Sequence, residues 1–386
     1  MSRTRTKKPP ARKGKSGPSR ELIVAIAVTG LVVVVAVAIV IARMGGSEPQ
    51  TISTPSALPL VSIPPPPSPA PAFTAAPNGP LPKSLTYVQV EQKRTVLNQI
   101  DLATGKIKEL FATPDQSGIF APPNGDTVAY VMIRTASGKE VPAQSGREGT
   151  RVIHVRNLQT GADVEVGEGS RPGWSWDGTH LAAYQSTPQG VRIVAMSLAD
   201  PHLRPLTPPG PVWTILGWAG DRLLLFGYPL RLYIASLDGT LEQIPSPDAT
   251  TRDPSPDGRW LFSVSHQGDA VFQPLGSRKT VVIDLGPWQL GLSYWTRNDL
   301  VVVAAATGTE IDAPSTVLVL DPATGSMLQV PNTQGAVAAF PAPDGASFVL
   351  ARGKFPPIWK LWTCRLSGDC TRSGDVRIGV APVRAG

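Results

Sequence analysis

Between residues 120 and 350, apolar residues recur in short runs, and a tight polar turn precedes each run. Six copies share an aromatic or apolar residue, a turn built on Asp-Gly or a related pair, and an apolar run: FAPPNGDTVAYV at 120–131, WSWDGTHLAAY at 174–184, WAGDRLLLFG at 218–227, PSPDGRWLFSV at 254–264, WTRNDLVVVA at 295–304 and FPAPDGASFVL at 340–350. Their first residues lie 54, 44, 36, 41 and 45 positions apart. This spacing predicts the four-stranded blades of a β-propeller.

The turn in each copy predicts the inner hairpin of a blade. Asp-Gly suits a two-residue turn because Gly adopts a positive φ freely and Asp tolerates one. A second set of seven turns predicts the outer hairpins, centred near Gly105, Gly161, Asp200, Gly239, Gly276, Gly325 and Gly368.

Seven outer hairpins and six inner copies agree if the chain enters the ring part-way through a blade. Strands at 85–90, 95–102 and 106–111 then supply three strands of that blade. The run at 376–383 predicts the fourth strand, which closes the ring and removes exposed sheet edges. The sequence thus predicts an all-β fold, a β-propeller of seven blades, with six blades as the alternative.

Two copies, WSWDG at 174 and PSPDG at 254, resemble the blade phrase of the TolB-like propellers, Trp-Ser-Pro-Asp-Gly followed by an apolar strand. The resemblance covers residues 85–386 and implies WD-repeat-like blades. The other copies depart from the phrase: FAPPNG and FPAPDG carry an extra residue, and WAGDR and WTRND lack glycine at the family's position. Different turns are expected in those blades.

The N-terminal region has the pattern of a signal-anchor. Residues 22–42 carry no charge, and a helix of this length spans about 30 Å, the thickness of a bilayer core. A cleavable signal peptide is the alternative, but its apolar stretch is shorter, roughly 7–15 residues. The sequence predicts one membrane-spanning helix at 22–43.

Charge predicts the orientation of this helix. The chain has 36 basic and 29 acidic residues, and eight of the basic ones lie before the helix, so the rest is close to neutral: Arg3, Arg5, Lys7, Lys8, Arg12, Lys13, Lys15 and Arg20. Positive residues remain on the cytoplasmic side, which places the propeller outside the plasma membrane. Nucleic-acid or lipid binding by the tail is the alternative; the orientation rule explains the tail without a nucleic-acid partner.

Residues 49–82 are rich in Pro, Ser, Thr and Ala and contain no charge. Extended polyproline geometry, about 3.1 Å per residue, makes this segment a stalk; a polyproline ligand for a partner domain is the alternative. The predicted organisation is a basic cytoplasmic tail at 1–21, a transmembrane helix at 22–43, a Pro-rich disordered linker at 44–83 and a propeller domain at 84–386.

The two cysteines, Cys364 and Cys370, flank the last outer turn on the exported side. A disulfide across this hairpin is expected, with about 2 kcal/mol of stabilisation in the chain-entropy model. Two cysteines without a neighbouring His or second pair do not fill a tetrahedral zinc site.

No catalytic motif is visible. The four histidines, His154, His180, His202 and His266, show no metal or catalytic spacing, and Gly-x-Ser-x-Gly, His-Glu-x-x-His, Walker and dinucleotide motifs are absent from the sequence. No cofactor, metal or catalytic residue is predicted. The recurrence of Asp177, Asp257 and Asp344 at the turns indicates turn chemistry; a ring of carboxylates that binds cations or sugars is the alternative.

Tryptophans and one long loop are the remaining candidates for recognition. Trp174, Trp218 and Trp295 head their copies and are expected in the core. Trp288, Trp359 and Trp362 lie outside the copies, where core packing is preferred over glycan or partner contact. Residues 135–150 are polar, Gly-rich and longer than a hairpin connection, which indicates either a recognition loop or an insertion without a role.

These observations predict a membrane-anchored, extracytoplasmic propeller that binds a protein partner or ligand in the cell envelope and is not an enzyme. The alternative is a carbohydrate-active or lyase-type propeller whose catalytic groups meet at one mouth of the channel; a third is a purely structural stalked domain. Convergence of acids, His or Tyr with shifted pKa values distinguishes the second from the others.

Overall fold

The computed structural model describes residues 80–91, 94–114, 118–123, 125–143, 148–210, 213–227, 231–246, 250–309, 313–342, 345–353, 358–377 and 380–385. The predicted tail, transmembrane helix and nearly all of the linker lie outside these ranges. None of the described residues belongs to a helix long and apolar enough to cross a membrane.

The described residues form 29 strands. The first fifteen are β1 Ser84–Val90, β2 Arg94–Asp101, β3 Ile107–Pro114, β4 Ile119–Phe120, β5 Thr127–Arg134, β6 Glu140–Pro142, β7 Thr150–Asn157, β8 Asp163–Glu168, β9 Ser170–Trp174, β10 His180–Thr187, β11 Gly190–Ser197, β12 Asp200–Pro205, β13 Trp213–Ala219, β14 Arg222–Gly227 and β15 Arg231–Ala235. The remainder are β16 Leu241–Ile244, β17 Thr250–Pro254, β18 Trp260–Val264, β19 Ala270–Pro274, β20 Val281–Ile283, β21 Gln289–Trp295, β22 Val301–Ala306, β23 Ser315–Asp321, β24 Ser326–Gln329, β25 Ala336–Pro341, β26 Ser347–Arg352, β27 Ile358–Arg365, β28 Cys370–Arg377 and β29 Val380–Ala385.

These strands form seven antiparallel sheets, the blades of a propeller. From the innermost strand outward, blade 1 is β29-β1-β2-β3, blade 2 is β4-β5-β7-β8 with β6 also paired to β5, and blades 3 to 7 are β9 to β12, β13 to β16, β17 to β20, β21 to β24 and β25 to β28. The seven-bladed prediction is confirmed, and the six-bladed alternative is wrong. All seven predicted outer hairpins join the third and fourth strands of a blade.

Blade 1 closes the ring with strands from both ends of the propeller domain, as the sequence predicts. Strand β29 pairs with β1, from Leu85 opposite Ala385 to Gln89 opposite Val380. The predicted closing strand, 376–383, begins four residues before the observed one. Its first two residues complete β28, and β29 begins at Val380. Val376 is buried there between blades 7 and 1, which fixes it in the outer strand.

The hydrophobic core is divided among the interfaces between blades. The described residues form seven clusters of buried apolar side chains, and each cluster joins two neighbouring blades around the ring. Alternation along each strand sends successive side chains to opposite sheet faces, so every blade contributes to two clusters. Leu85 and Ile100 of blade 1, for example, join Val349 and Leu361 of blade 7.

The inner turns differ from the predicted two-residue form. Ser175 N donates to His180 O at 2.9 Å, so the turn has four residues between this bonded pair, and Gly178 alone among those four has a positive φ, 73°. The phrase at 254 has the same turn, with Gly258 at 75°. Among the inner turns whose residues are all described, that of blade 4 alone has two residues, since Ala219 pairs with Arg222. The aspartate of the phrase therefore does not take the strained backbone position in either of these turns.

Tryptophans at the head of the repeats connect neighbouring blades. The indole Nε1 of Trp174 donates to Phe120 O at 2.9 Å, and that of Trp218 donates to Gly173 O at 3.0 Å. Trp218 and Trp295 are each 6% exposed, and Trp174 is partly buried. The predicted core position of these residues is confirmed.

An extra residue interrupts the innermost strand of every blade except blade 2. Strands β9, β13, β17, β21, β25 and β29 each carry a β-bulge opposite a regular second strand. Bulges bend a strand and increase its twist. Leu292 and Val337 lie at two of these bulges and are 51% and 39% exposed.

Candidate functional site

Blade 2 departs from the other blades at its innermost strand. Strand β4 has only two residues, which pair with Ala129 and Tyr130 of β5. Strand β6, from the 135–150 segment, pairs with the continuation of the same edge, since Arg134 faces Glu140 and Met132 faces Pro142. The opposite edge of β5 is occupied by β7 throughout. The predicted long loop thus completes the inner strand of its own blade; its residues 144–147 lie outside the described ranges.

A hairpin turn projects from this inserted strand. Thr135 N donates to Lys139 O at 2.9 Å, and Gly138 N donates to Thr135 O at 2.9 Å. The turn residues 136–139 are exposed. The insertion is therefore anchored by strand pairing at its base and open to solvent at its tip.

The interface between blades 1 and 2 has the smallest apolar cluster of the seven, with four buried members among the described residues: Val88, Leu97, Ile119 and Val128. Beside it, one face of blade 2 is polar. This face carries ionisable side chains from four adjacent strands: Tyr130, Arg134, Glu140, His154, Arg156, Asp163 and Glu165. We call these seven residues the blade 2 cluster.

Arg134 joins the inserted strand to the outermost strand of the blade. Its Nη2 donates to Glu140 Oε1 at 2.8 Å and also to Glu165 Oε2. These hydrogen bonds, first that to Glu140 and then that to Glu165, raise the pKa of the Arg134 guanidinium. A single cation thus bridges carboxylates of β6 and β8 across the face of β5.

His154, on β7, lies next to Glu140, and the His154 side chain is 15% exposed. Its Nε2 lies 3.0 Å from Glu140 Oε2 and its Nδ1 lies 3.4 Å from Asp163 Oδ1. The contact with Glu140 lacks hydrogen-bond geometry, so among the described residues Nε2 is buried without a hydrogen-bond partner. The imidazole ring stacks on Tyr130, with centroids 5.2 Å apart.

Tyr130 and Arg156 complete the cluster toward blade 1. Tyr130 Oη donates to Asp163 Oδ2 at 2.7 Å, and burial, followed by this hydrogen bond, raises the pKa of the phenol. Arg156 lies 3.3 Å from the same carboxylate oxygen and 5.5 Å over the ring of Phe111. Phe111 in turn contacts Tyr130, with centroids 5.3 Å apart.

A second group of ionisable residues lies at the inner turns of blades 5 and 6. Arg259 donates to both Asp257 and Asp299, so one guanidinium binds the two carboxyl groups. Burial, together with the Asp257 charge, raises the pKa of Asp299 to about 7. Burial alone would raise the pKa of Asp257, but hydrogen bonds led by that from Arg259 N lower it. Asp299 occupies the glycine position of the phrase, with φ 58°.

The recurring aspartates behave as turn residues. Asp177 Oδ1 accepts from Ser175 Oγ at 2.6 Å and from Thr179 N at 3.0 Å. Asp257 Oδ1 accepts equivalent bonds from Ser255 Oγ at 2.8 Å and Arg259 N at 2.9 Å. Asp344 lies outside the described residues. Both described aspartates agree with the turn interpretation.

The other residues that the sequence analysis considered are placed as follows. Cys364 and Cys370 form a disulfide and face each other across β27 and β28. His180 contacts the ring of Trp218 at 5.4 Å, with its Nδ1 2.8 Å from Thr179 Oγ1. The tryptophans outside the copies pack against hydrophobic clusters, as the core interpretation expects: Trp288, Trp359 and Trp362.

Sequence reasoning missed the blade 2 cluster. Glu140, His154 and Glu165 are 14 and 11 positions apart, which matches no local ligand motif. The available signal was alternation: Tyr130 and Arg134 on β5, and His154 and Arg156 on β7, interrupt otherwise apolar runs on the same face. A polar stripe on a blade face that is expected to be buried indicates a candidate site.

No protein-family model matches the chain, and no curated protein matches it in sequence. Among solved structures, TolB from Acinetobacter baumannii is 14% identical, with 78% of this chain and 67% of that chain covered and a TM-score of 0.43. A prolyl endopeptidase is 13% identical over 78% of this chain and 49% of its own, with a TM-score of 0.52. The Pyrococcus horikoshii acylaminoacyl peptidase is 13% identical over 75% and 50%, with a TM-score of 0.51.

The chain spans about half the length of these two peptidases. At such low identity the likeness bears on fold alone. Together with the seven sheets described above, it shows that this chain contains an all-β, seven-bladed β-propeller.

Proposed function

We propose that the chain is a membrane-anchored, extracytoplasmic propeller that binds a protein partner of the cell envelope through the inserted hairpin of blade 2. The observation that carries the proposal is the way the insertion is built. Strand β6 pairs in register with β5, and Arg134 holds Glu140 at its base, while residues 136–139 are exposed. A recognition loop on a rigid base loses little conformational entropy on binding.

Sequence features support the location. The apolar run at 22–42, the basic tail before it and the uncharged Pro-rich segment after it fit a single-pass anchor with a stalk. The Cys364–Cys370 disulfide fits an oxidising compartment outside the cytoplasm.

The test places a photo-reactive amino acid at Ser137, at the tip of the insertion, in the full chain expressed in its native envelope. The matched control is Gln267, which is exposed in the 265–269 turn after the second strand of blade 5, as the 135–139 turn follows the second strand of blade 2. The 265–269 turn has the same two backbone hydrogen bonds as the 135–139 turn, from Ser265 N to Asp269 O and from Gly268 N to Ser265 O. We expect one protein crosslinked from position 137 and not from 267. Identical products at both positions, or glycan products alone, would contradict the proposal.

A charge reversal gives an independent reading of the same surface. Lys139→Glu changes an exposed residue of the turn and leaves β6 intact, whereas deletion of the whole segment would remove a paired strand. We expect Lys139→Glu to reduce crosslinking from position 137. Lys279→Glu, on an exposed turn of blade 5, serves as its control.

A second candidate function is a carbohydrate-active or lyase-type enzyme, which the Asp257–Asp299 pair favours. Two carboxyl groups whose pKa values are pushed apart are typical of general acid–base pairs. Here, however, both carboxyl groups are bonded to Arg259 and Asp299 is buried, whereas a general acid–base pair must reach its substrate. Release of reducing ends from envelope polysaccharide by the full chain, lost in Asp299→Asn, would favour the enzyme; no release favours the binding module.

A further inference from the structure

We propose that Glu140, His154 and Glu165 of the blade 2 cluster bind a divalent transition-metal ion of the Zn²⁺ class. One ligand atom from each residue lies within 4.8 Å of the other two. Donors bonded tetrahedrally to one Zn²⁺ at about 2.0–2.2 Å are about 3.3–3.6 Å apart, so side-chain rotation that brings the farthest pair together by up to roughly 1.5 Å completes the site. The inference stands independently of the proposed partner.

The histidine has the arrangement of a metal ligand. Its Nε2 is buried without a hydrogen-bond partner among the described residues, although Glu140 Oε2 is 3.0 Å away. Its Nδ1 lies 3.4 Å from Asp163 Oδ1 on the opposite side of the ring. A carboxylate on one ring nitrogen fixes the orientation of the imidazole and directs the other nitrogen toward a metal.

Tyr130 and Arg156 hold the Asp163 carboxylate in place. Tyr130 Oη donates to Asp163 Oδ2 at 2.7 Å, and Arg156 lies 3.3 Å from the same oxygen. The stacking of Tyr130 on His154 restricts the ring further. The ligand side chain is therefore positioned before any metal arrives, which lowers the cost of binding.

The donor set selects the metal class. One imidazole nitrogen and two carboxylates suit Zn²⁺ and its neighbours, whereas Ca²⁺ and Mg²⁺ take oxygen ligands. Three protein ligands leave a fourth position for water. Glu165, whose side chain is 37% exposed, gives the ion a route from solvent.

Arg134 is the competing cation at this site. Its Nη2 contacts Oε1 of Glu140, so Oε2 remains on the side of His154. A carboxylate that accepts from an arginine through one oxygen can bind a metal through the other. The ion would join β6, β7 and β8, and so fasten the insertion to its blade.

The test is isothermal titration calorimetry of the untagged full chain with ZnCl₂ after chelator treatment. We expect one Zn²⁺ per chain, at least about tenfold weaker binding in Glu165→Gln, and loss of the site in His154→Gln. The controls are Glu109→Gln, an exposed glutamate also paired with an arginine, and His202→Gln, an exposed histidine. Both controls should bind Zn²⁺ as the native chain does.

Thermal unfolding separates metal binding from a purely structural ion-pair network. Excess Zn²⁺ should raise the Tm of the native chain and of both controls, and should not raise that of His154→Gln or Glu165→Gln. Metal-free Tm values show whether each variant folds. If the native chain binds no Zn²⁺, or if both variants bind it like the native chain, the proposal is overturned.

Discussion

The indole nitrogen of Trp218 donates a hydrogen bond to the backbone carbonyl of Gly173, 3.0 Å away, and so joins the innermost strands of blades 4 and 3. Trp174 makes the equivalent bond from blade 3 to Phe120 of blade 2. The recurring aromatic residue of the repeat thus has two roles, since its ring fills the space between blades and its N–H satisfies a neighbouring carbonyl.

Replacing Trp218 with Phe should lower the free energy of unfolding by about 1 kcal/mol more than the same change at Trp295. The reason is that Trp295 Nε1 has no hydrogen-bond partner among the described residues, so only Trp218→Phe breaks a bond. Both substitutions remove similar volume from nearly buried sites. Urea unfolding of the two variants measures the difference, and equal losses would mean that the inter-blade bond adds no stability.

Gly258→Ala should destabilise the protein more than Gly239→Ala. Both glycines have positive φ, 75° and 88°, and so share the strain of placing a side chain in this conformation, about 1 kcal/mol. A Cβ at Gly258 would also lie 2.9 Å from the backbone of Ala219 in blade 4, whereas nothing lies within 4 Å of a Cβ at Gly239. Tm values from circular dichroism test this. A larger decrease in Tm for Gly239→Ala would show that the inner turn at Gly258 moves to accommodate the added methyl group.

Asp299→Asn should flatten the dependence of stability on pH between about 4 and 7. The pKa of Asp299 is raised from 3.8 to about 7 in the folded protein, first by burial and then by Asp257. Across this range the folded state holds a proton that the unfolded chain has released, so the free energy of unfolding falls as pH rises. Asn does not titrate and removes this fall.

Urea unfolding at pH 5 and pH 8 measures the effect. Asp238→Asn is the control, because hydrogen bonds from Thr240 lower the pKa of Asp238, so its stability contribution changes only in more acidic solution. The native chain and this control should lose stability between the two pH values, and Asp299→Asn should lose less. Equal losses in all three would show that Asp299 is already ionised at pH 5.

Reduction of the Cys364–Cys370 disulfide should cost about 2 kcal/mol, since a six-residue separation closes only a short loop. A reductant should lower the Tm of the native chain and leave that of a Cys364→Ala, Cys370→Ala double variant unchanged. The double variant also removes a fully buried side chain at 364, so it should be less stable than the reduced native chain. An unchanged Tm on reduction would mean that the bond does not restrain the terminal hairpin.

The number of blades could be predicted because each blade repeats local signals. The turns near Gly105, Gly161 and Gly325 depend on residues adjacent in the chain, and strand alternation supplies the rest. The prediction of a two-residue inner turn is wrong because Ser175 and Ser255 lie two residues before the aspartates and stabilise a longer turn. Each serine hydroxyl donates to the carboxylate and accepts from the first backbone N–H of the following strand. A turn template based on Asp-Gly alone does not contain that serine.

The blade 2 cluster could not be predicted, because its geometry depends on which edge of β5 the insertion occupies. Strand β6 has three residues, too few for a periodic signal, and its pairing brings Glu140 over His154. The sequence indicated the segment but not its register, and register decides which side chains meet.

The closing blade determines how the domain would respond to a mechanical load. Strand β1, which follows the predicted stalk, is hydrogen-bonded to β2 along seven residue pairs and to β29 along five. A force applied to the N-terminal end of β1 therefore acts on a strand that is hydrogen-bonded along both edges. The hydrogen bonds to β2 cannot break one pair at a time while those to β29 remain intact. Tension applied before Ser84 would have to break both ladders together, so the two-sided pairing of β1 resists extraction of this strand from the ring.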